Sequence, residues 1–294
     1  MTAVISSFFL LAVQPVIGGE IINDAPPAKG YTIILTAPGT THDSTSPKFS
    51  VGSDGKFTLP GLAAGNYKMR IEVGKKMSLT IPEVWLDESC TNLPIYWPTE
   101  MNSEKRREMG AALFTEGRSA MDAGDYSGAA QKFMQAIRVD TANSPTWAAL
   151  SLAQVGAKQY QNALESVEFA IRFAPREDSY WNNKGGVLYR MGQYPAAATA
   201  YEKAAELNSN GAGLYMSNAG AACVAANDDR GAASCYAVAV KANAPASSWY
   251  HLGEAYVRLG RSNEARDAFT KYLGVEPNGI YAGNARRRLQ SLGG

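Results

Sequence analysis

Trp181–Leu207, WNNKGGVLYRMGQYPAAATAYEKAAEL, reads as two amphipathic helices joined by a tight turn at Met191-Gly192-Gln193. At helical spacing Trp181, Gly185 and Leu188 share one face of the first helix, and Ala197, Tyr201 and Ala204 share one face of the second. Pro195 follows the turn and is predicted at the first position of the second helix, where its missing N–H costs nothing. Such a hairpin cannot bury its apolar face alone. It needs copies of itself.

The chain supplies them. The small residue of the first helix recurs as Gly117, Ser151, Gly185, Gly220 and Gly253. The second helix repeats an alanine at Ala129, Ala163, Ala197, Ala232 and Ala265, and a bulky residue at Phe133, Val167, Tyr201, Tyr236 and Phe269. A closing small residue stands at Ala136, Ala170, Ala204 and Ala239, and Tyr272 breaks that rule in the last copy. Turn aromatics at Tyr126, Tyr160 and Tyr194 give way to Asp229 and Ser262. Each small residue lets two helices approach, and each bulky one fills the gap beside it. This agreement of registers resembles the tetratricopeptide repeat (TPR) family over residues 103–279. The resemblance implies about five stacked hairpins, a helical solenoid. The tail 280–294 reads as a capping helix, with Arg286-Arg287-Arg288 facing water and Leu289 covering the last repeat.

Length and charge bound the rest. A chain of 294 residues suggests about two domains. With 28 Lys+Arg against 27 Asp+Glu, no global field selects nucleic acid or an anionic membrane. The short Arg triplet is better explained by cap solubility than by nucleic-acid binding. Cys90, Cys223 and Cys235 form no metal spacing, and two histidines, His42 and His251, exclude a His-rich metal centre. Cys223 and Cys235 fall on facing helices of repeat four and read as small core residues rather than a bridge. No cofactor is expected.

Before the repeats the pattern changes. Residues 1–15 carry an apolar run too short to span a bilayer, which fits a secretory signal. No Lys or Arg precedes the run, and a misassigned start or an apolar strand is the alternative. From residue 16 to 99 short strands are expected at Val16–Ile22, Tyr31–Thr36, Lys56–Leu59, Tyr67–Val73, Met77–Ile81 and Leu93–Tyr96. Asp54-Gly55, between Phe49–Val51 and Phe57, signals a hairpin. Tyr67 after Leu62-Ala-Ala-Gly65-Asn66 suggests a tyrosine corner. The run Gly19, Asp54-Gly-Lys-Phe57, Leu59-Pro-Gly61-Leu62 and Gly65-Asn-Tyr67 resembles the carboxypeptidase regulatory-like domain, a small transthyretin-like β-sandwich. That resemblance implies an accessory module and no peptidase activity.

No nucleophile elbow, H-E-x-x-H, P-loop or strand-borne G-x-G-x-x-G is present, so no enzyme is expected. The TPR resemblance instead implies a groove lined by the second, fifth, sixth, ninth, twelfth and thirteenth residues of each first helix. On this sequence those positions include Phe114, Arg118 and Met121, then Ala148, Leu152 and Val155. Repeat three supplies Asn182, Asn183, Tyr189 and Arg190; repeat four supplies Ser217, Asn218 and Val224; repeat five supplies Tyr250, His251, Glu254 and Arg258. The early groove is therefore expected to be apolar and the later groove polar, with amides suited to a peptide backbone. Some TPR proteins grip chaperone C-terminal carboxylates with a basic clamp. Asn183 and Asn218 match its amide position, but Ala148 and Asn182 stand where its first lysine would be, so no such activity is expected.

The expected whole is multidomain: a small all-β sandwich, then an all-α TPR solenoid with a C-terminal capping helix. Its expected role is a non-enzymatic adaptor or scaffold holding a protein or peptide partner. The combination of signal-like run, regulatory-like module and TPRs resembles bacterial envelope proteins, which implies a periplasmic or cell-surface location; without export the chain is cytoplasmic. A second reading makes the sandwich a binder of carbohydrate or envelope polysaccharide through Trp85, Tyr96 and Trp97, with the solenoid as spacer.

Overall fold

The computed structural model describes residues 17–22, 31–36, 48–51, 56–59, 65–73, 77–86, 93–96 and 103–293. The signal-like run, His42, Asp54-Gly55, Cys90, Trp97 and the loop upstream of Tyr67 lie outside the described residues. Two compact units divide the chain: Met1–Gly110 with Ile137–Ala142, and Ala111–Ala136 with Asn143–Gly294.

In the first unit, β1 (Ile17–Ile22), β4 (Lys56–Leu59) and β7 (Leu93–Tyr96) form one sheet in the order β4-β1-β7. The strands β2 (Tyr31–Thr36), β3 (Lys48–Ser50), β5 (Gly65–Val73) and β6 (Met77–Leu86) form another in the order β3-β2-β5-β6. Ile33 faces Ile71 and Leu35 faces Met69 across the β2–β5 ladder, and all four are fully buried. Along β4, Phe57 and Leu59 are buried while Lys56 and Thr58 are exposed, the period-two alternation that set the strand prediction.

Two sequence expectations need correction here. Among the described residues the strands flanking Asp54-Gly55 do not pair with each other: β3 pairs with β2 and β4 pairs with β1. A tight-turn dipeptide specifies a reversal of direction, but which edge each strand joins depends on distant partners. The strand predicted to stop at Ile81 instead runs through Pro82 to Leu86. It can do so because β6 is an edge strand, and its register against β5 shifts at that point, from Met69 opposite Ile81 to Tyr67 opposite Val84.

The helical hairpins fall in the second unit, except for the first residues of the first helix, to Gly110, and the last of the second, from Ile137. They are α1 (Ser103–Asp122) with α2 (Tyr126–Val139), α3 (Ser144–Gly156) with α4 (Tyr160–Phe173) and α5 (Asp178–Arg190) with α6 (Tyr194–Leu207). The pairs α7 (Ala212–Ala225) with α8 (Asp229–Lys241) and α9 (Ser247–Arg258) with α10 (Ser262–Val275) follow, and α11 (Ala282–Gly293) closes the series. Helix α6 begins at Tyr194, so Pro195 is its second residue rather than its first.

The packing follows from size complementarity within each hairpin. A Cβ placed on Gly117, Gly185 or Gly253 would lie 2.6 Å from the ring of Phe133, Tyr201 or Phe269. Gly220 stands in the same relation to Tyr236. Repeat two has the smaller Val167 opposite Ser151, which leaves room for a side chain. Ser151 Oγ uses it to donate to the Ala163 carbonyl at 2.7 Å. The repeating alanines Ala129, Ala163, Ala197, Ala232 and Ala265 are fully buried.

Each turn between paired helices also repeats one backbone feature. Gly124, Gly192 and Gly260 have φ of 79°, 75° and 71°, and Lys158 and Asn227 take the same left-handed conformation at 60° and 58°. Glycine is the residue that reaches this region without penalty. Tyr272 breaks the closing-alanine series on α10, the helix against which α11 packs. Its fully buried ring fills space beside Tyr250 and Tyr281, and its hydroxyl accepts from the Tyr281 N–H at 3.1 Å.

Candidate functional site

The first helices α1, α3, α5, α7 and α9 carry the predicted binding positions. Position by position, their side chains differ in how free they are. In repeat one Phe114 is half-buried against Phe133, with ring centroids 5.5 Å apart, while Arg118 is exposed. In repeat two Ala148 is buried, whereas Leu152 is 43% exposed. Repeats three and four then bring polar groups together. Asn218 Nδ2 on α7 donates to Asn182 Oδ1 on α5 at 3.2 Å, so the two amides form a pair. Each keeps capacity to spare, because an amide carries two donors and an acceptor with two lone pairs. Asn183 lies half-buried beside them in sequence. Ser217 Oγ meets Ser248 Oγ of α9 at 3.0 Å.

Apolar surface continues alongside this polar row. Tyr189 is 39% exposed and Val224 37% exposed, one repeat apart at the same position of their helices. Met121, Val155 and Val257 occupy that register in the other repeats and are half-buried. The expected division into an apolar early and a polar late groove is therefore incomplete. Apolar side chains recur at the end of each first helix, and the amides sit nearer the helix starts. The signal was legible as the series Met121, Val155, Tyr189, Val224 and Val257.

Repeat five is different. Tyr250 stacks on Tyr281, centroids 4.4 Å apart and planes 6° apart. His251 lies between Tyr236 at 5.5 Å and Tyr281 at 5.1 Å, and burial holds its pKa below the usual imidazole range. Glu254 accepts a two-pronged hydrogen bond from Arg288, at 2.8 and 2.7 Å. Arg258 pairs with Asp229, and Arg190 is exposed. The capping segment thus engages three of the four predicted positions of this repeat. His251 and Glu254 have H-x-x-E spacing, one helical turn apart, yet no group of three metal-ligating side chains exists among the described residues.

Sequence reasoning missed one polar junction between repeats three and four. Asp178, the first residue of α5, accepts from the Tyr215 hydroxyl on α7 and from Asn208 Nδ2 at 3.0 Å. The tyrosine hydrogen bond holds the Asp178 carboxyl below its ordinary range. Burial, reinforced by that carboxylate, pushes the Tyr215 phenol up to about 12. Nothing in the repeat pattern marks these residues, because their partner lies 37 positions away.

Against known proteins, models of the tetratricopeptide repeat match residues 179–210 and 246–278. A heat shock protein sti1 homolog of Schizosaccharomyces pombe is 30% identical over 106 residues, covering 36% of this chain and 18% of that protein. A heat-shock protein cognate co-chaperone, sgt12 of Aspergillus fumigatus, is 31% identical over 99 residues, covering 34% of this chain and 29% of that protein. The chain thus spans less than a third of the length of either relative. Among solved structures, MamA protein is similar with a TM-score of 0.53 and 20% identity, over 58% of this chain and 93% of that one. YrrB, described as a TPR protein with an unusual peptide-binding site, gives 0.52 and 18% identity over 63% of this chain and 95% of that one. Residues 179–210 and 246–278 are tetratricopeptide repeats, and they lie within helical hairpins that stack as a solenoid.

Proposed function

We propose that the helical unit is a non-enzymatic adaptor that holds an extended polypeptide segment along the first helices of repeats two to four. The observation that carries this reading is the adjacency of two kinds of surface. The Asn182–Asn218 pair offers unused donors and acceptors to a peptide backbone, and Leu152, Tyr189 and Val224 offer exposed apolar contacts to its side chains. Phe114 and Arg118 extend the face at one end. At the other, Tyr250, His251, Glu254 and Arg258 are engaged by neighbours and shape the end of the face.

A carboxylate clamp is not part of this reading, despite the co-chaperone names among the relatives, since Ala148 and Asn182 stand where a lysine would be needed. In the proposed molecule the two sheets pack as a regulatory-like sandwich over residues 16–99, the repeats run over 103–279, and residues 1–15 direct export to a bacterial envelope.

A displayed library of random peptides, selected on the full-length chain, tests the proposal. Selected peptides should be apolar and should bind regardless of a free C-terminus. Asn183→Ala, Asn218→Ala and Tyr189→Ala together should weaken binding by at least about tenfold while leaving the far-ultraviolet circular dichroism unchanged. Equal binding by the folded triple variant would overturn the proposed face. Selection of nothing, with retention of an envelope polysaccharide by the same full-length chain, would return the polymer-binding reading.

A further inference from the structure

Cys223 on α7 and Cys235 on α8 are 7% and 3% exposed, both within the apolar cluster that joins repeats three, four and five. Both are free thiols, and Cys223 Sγ reaches α8, lying 3.0 Å from where a Cβ on Gly231 would stand, one turn before Cys235. Cys235 Sγ also lies 3.6 Å from Glu202 Oε1 of α6. The meeting of these two positions is a property of the hairpin rather than an accident of one repeat. The equivalent pair in repeat two is Gln154 and Ser166, whose side chains hydrogen-bond at 2.7 Å across the same twelve-residue separation. Repeat four therefore places two oxidisable groups where the fold brings side-chain ends into contact.

We propose that Cys223 and Cys235 are a redox-active dithiol that closes to a disulfide bridging α7 and α8. In the first step the Cys223 thiolate attacks one sulfur of a low-molecular-weight disulfide, forming a mixed disulfide and releasing one thiolate. In the second, Cys235 loses its proton to water and attacks the Cys223 sulfur, forming the protein disulfide and releasing the second thiolate. The protein loses two electrons and two protons, and the small disulfide is reduced to two thiols. The order of attack follows from the surroundings of the two thiols. The neighbouring Cys235 thiol holds the Cys223 thiol below its ordinary range, while Cys223, burial and the Glu202 carboxylate push Cys235 up. The closed loop would span the α7–α8 turn, where Asn227 is held in the left-handed conformation.

Full-length protein equilibrated with oxidised glutathione and then blocked and digested with trypsin tests this. Cleavage after Lys203, Arg230 and Lys241 separates the two cysteines, so closure should yield Ala204–Arg230 joined to Gly231–Lys241. The intact mass should fall by about 2 Da and the Tm should rise by on the order of 5 °C. Cys90→Ser should behave as wild type, and Cys223→Ser and Cys235→Ser should show neither change. Glutathione adducts without the joined peptides, a bond from Cys90 to either thiol, or unreacted Cys223 and Cys235 would each overturn the proposal. Because the wild-type digest alone reports closure, poor folding of a serine variant would not protect it.

Discussion

Glycine opposite an aromatic ring is the residue-scale rule of the solenoid, and repeat two shows its converse. Gly185→Ala forces a Cβ to within 2.6 Å of the Tyr201 ring and is expected to cost about 1–3 kcal/mol, read as a lower urea midpoint at unchanged slope. Transplanting the repeat-two solution tests the cause. Gly185→Ser combined with Tyr201→Val should cost less than the sum of the two single changes, because serine opposite valine is already tolerated at Ser151 and Val167. Additive costs would place the strain elsewhere. The turn residues give a change of opposite sign. Lys158 sits at φ 60° where three other repeats have glycine, so Lys158→Gly should stabilise by up to about 1 kcal/mol in the same denaturation experiment.

At the scale of the element, the repeats are joined by polar contacts between successive first helices as well as by apolar packing. Asp178 with Tyr215 links α5 to α7, and Ser217 with Ser248 links α7 to α9. The first junction has a pH signature. The Asp178 pKa is lowered on folding, so its contribution is present above its ordinary value of 3.8 and disappears as pH falls through the folded value. The Tyr215 pKa is raised from 10.0 to about 12, so its contribution is complete below 10.0 and is lost as pH rises through 12. Tyr215→Phe should therefore be less stable than wild type at neutral pH. The difference should shrink in both strongly acidic and strongly alkaline solution, measured by urea unfolding across pH. A constant difference would remove the junction from the account. These contacts were not legible from the repeat register, whereas the helices that carry them were. A period of small and bulky residues reports packing within one hairpin. A polar pair 37 residues apart depends on how hairpins stack.

For the whole molecule, what ends the stack matters as much as what propagates it. Tyr281 and, from helix α11 behind it, Ala285 and Leu289 pack with Phe269, Tyr272 and Tyr250, and α11 presents Arg286 and Arg287 outward. Arg286 donates to the Pro277 carbonyl at 2.6 Å and Arg288 pairs with Glu254 of α9, so two of the three arginines tie the cap to the last repeat. Tyr281→Ala should cost about 2–4 kcal/mol, since it strips one face of a stacked aromatic group. In hydrogen exchange the loss should concentrate in α9–α11 and spare α3–α6, because a solenoid transmits stability mainly between neighbours. Uniform loss of protection would mean that the array unfolds as one cooperative unit.

The strand register shows where reading a sequence stops. Alternation located β2, β4 and β7 to the residue, yet Asp54-Gly55 suggested pairing between strands that belong to different sheets. For the helical part the sequence alone determined the hairpins, their period, the buried alanines and the capping helix. Those features depend on contacts within about 35 residues, and each was announced by several positions at once. The tertiary structure alone decided which binding-face residues are free. Asn182 pairs with Asn218, and Tyr250, His251 and Glu254 are taken up by Tyr281, Tyr236 and Arg288. Position in a repeat says which way a side chain points. Whether a neighbour already meets it there depends on the next helix in the stack, and that is a property of three dimensions.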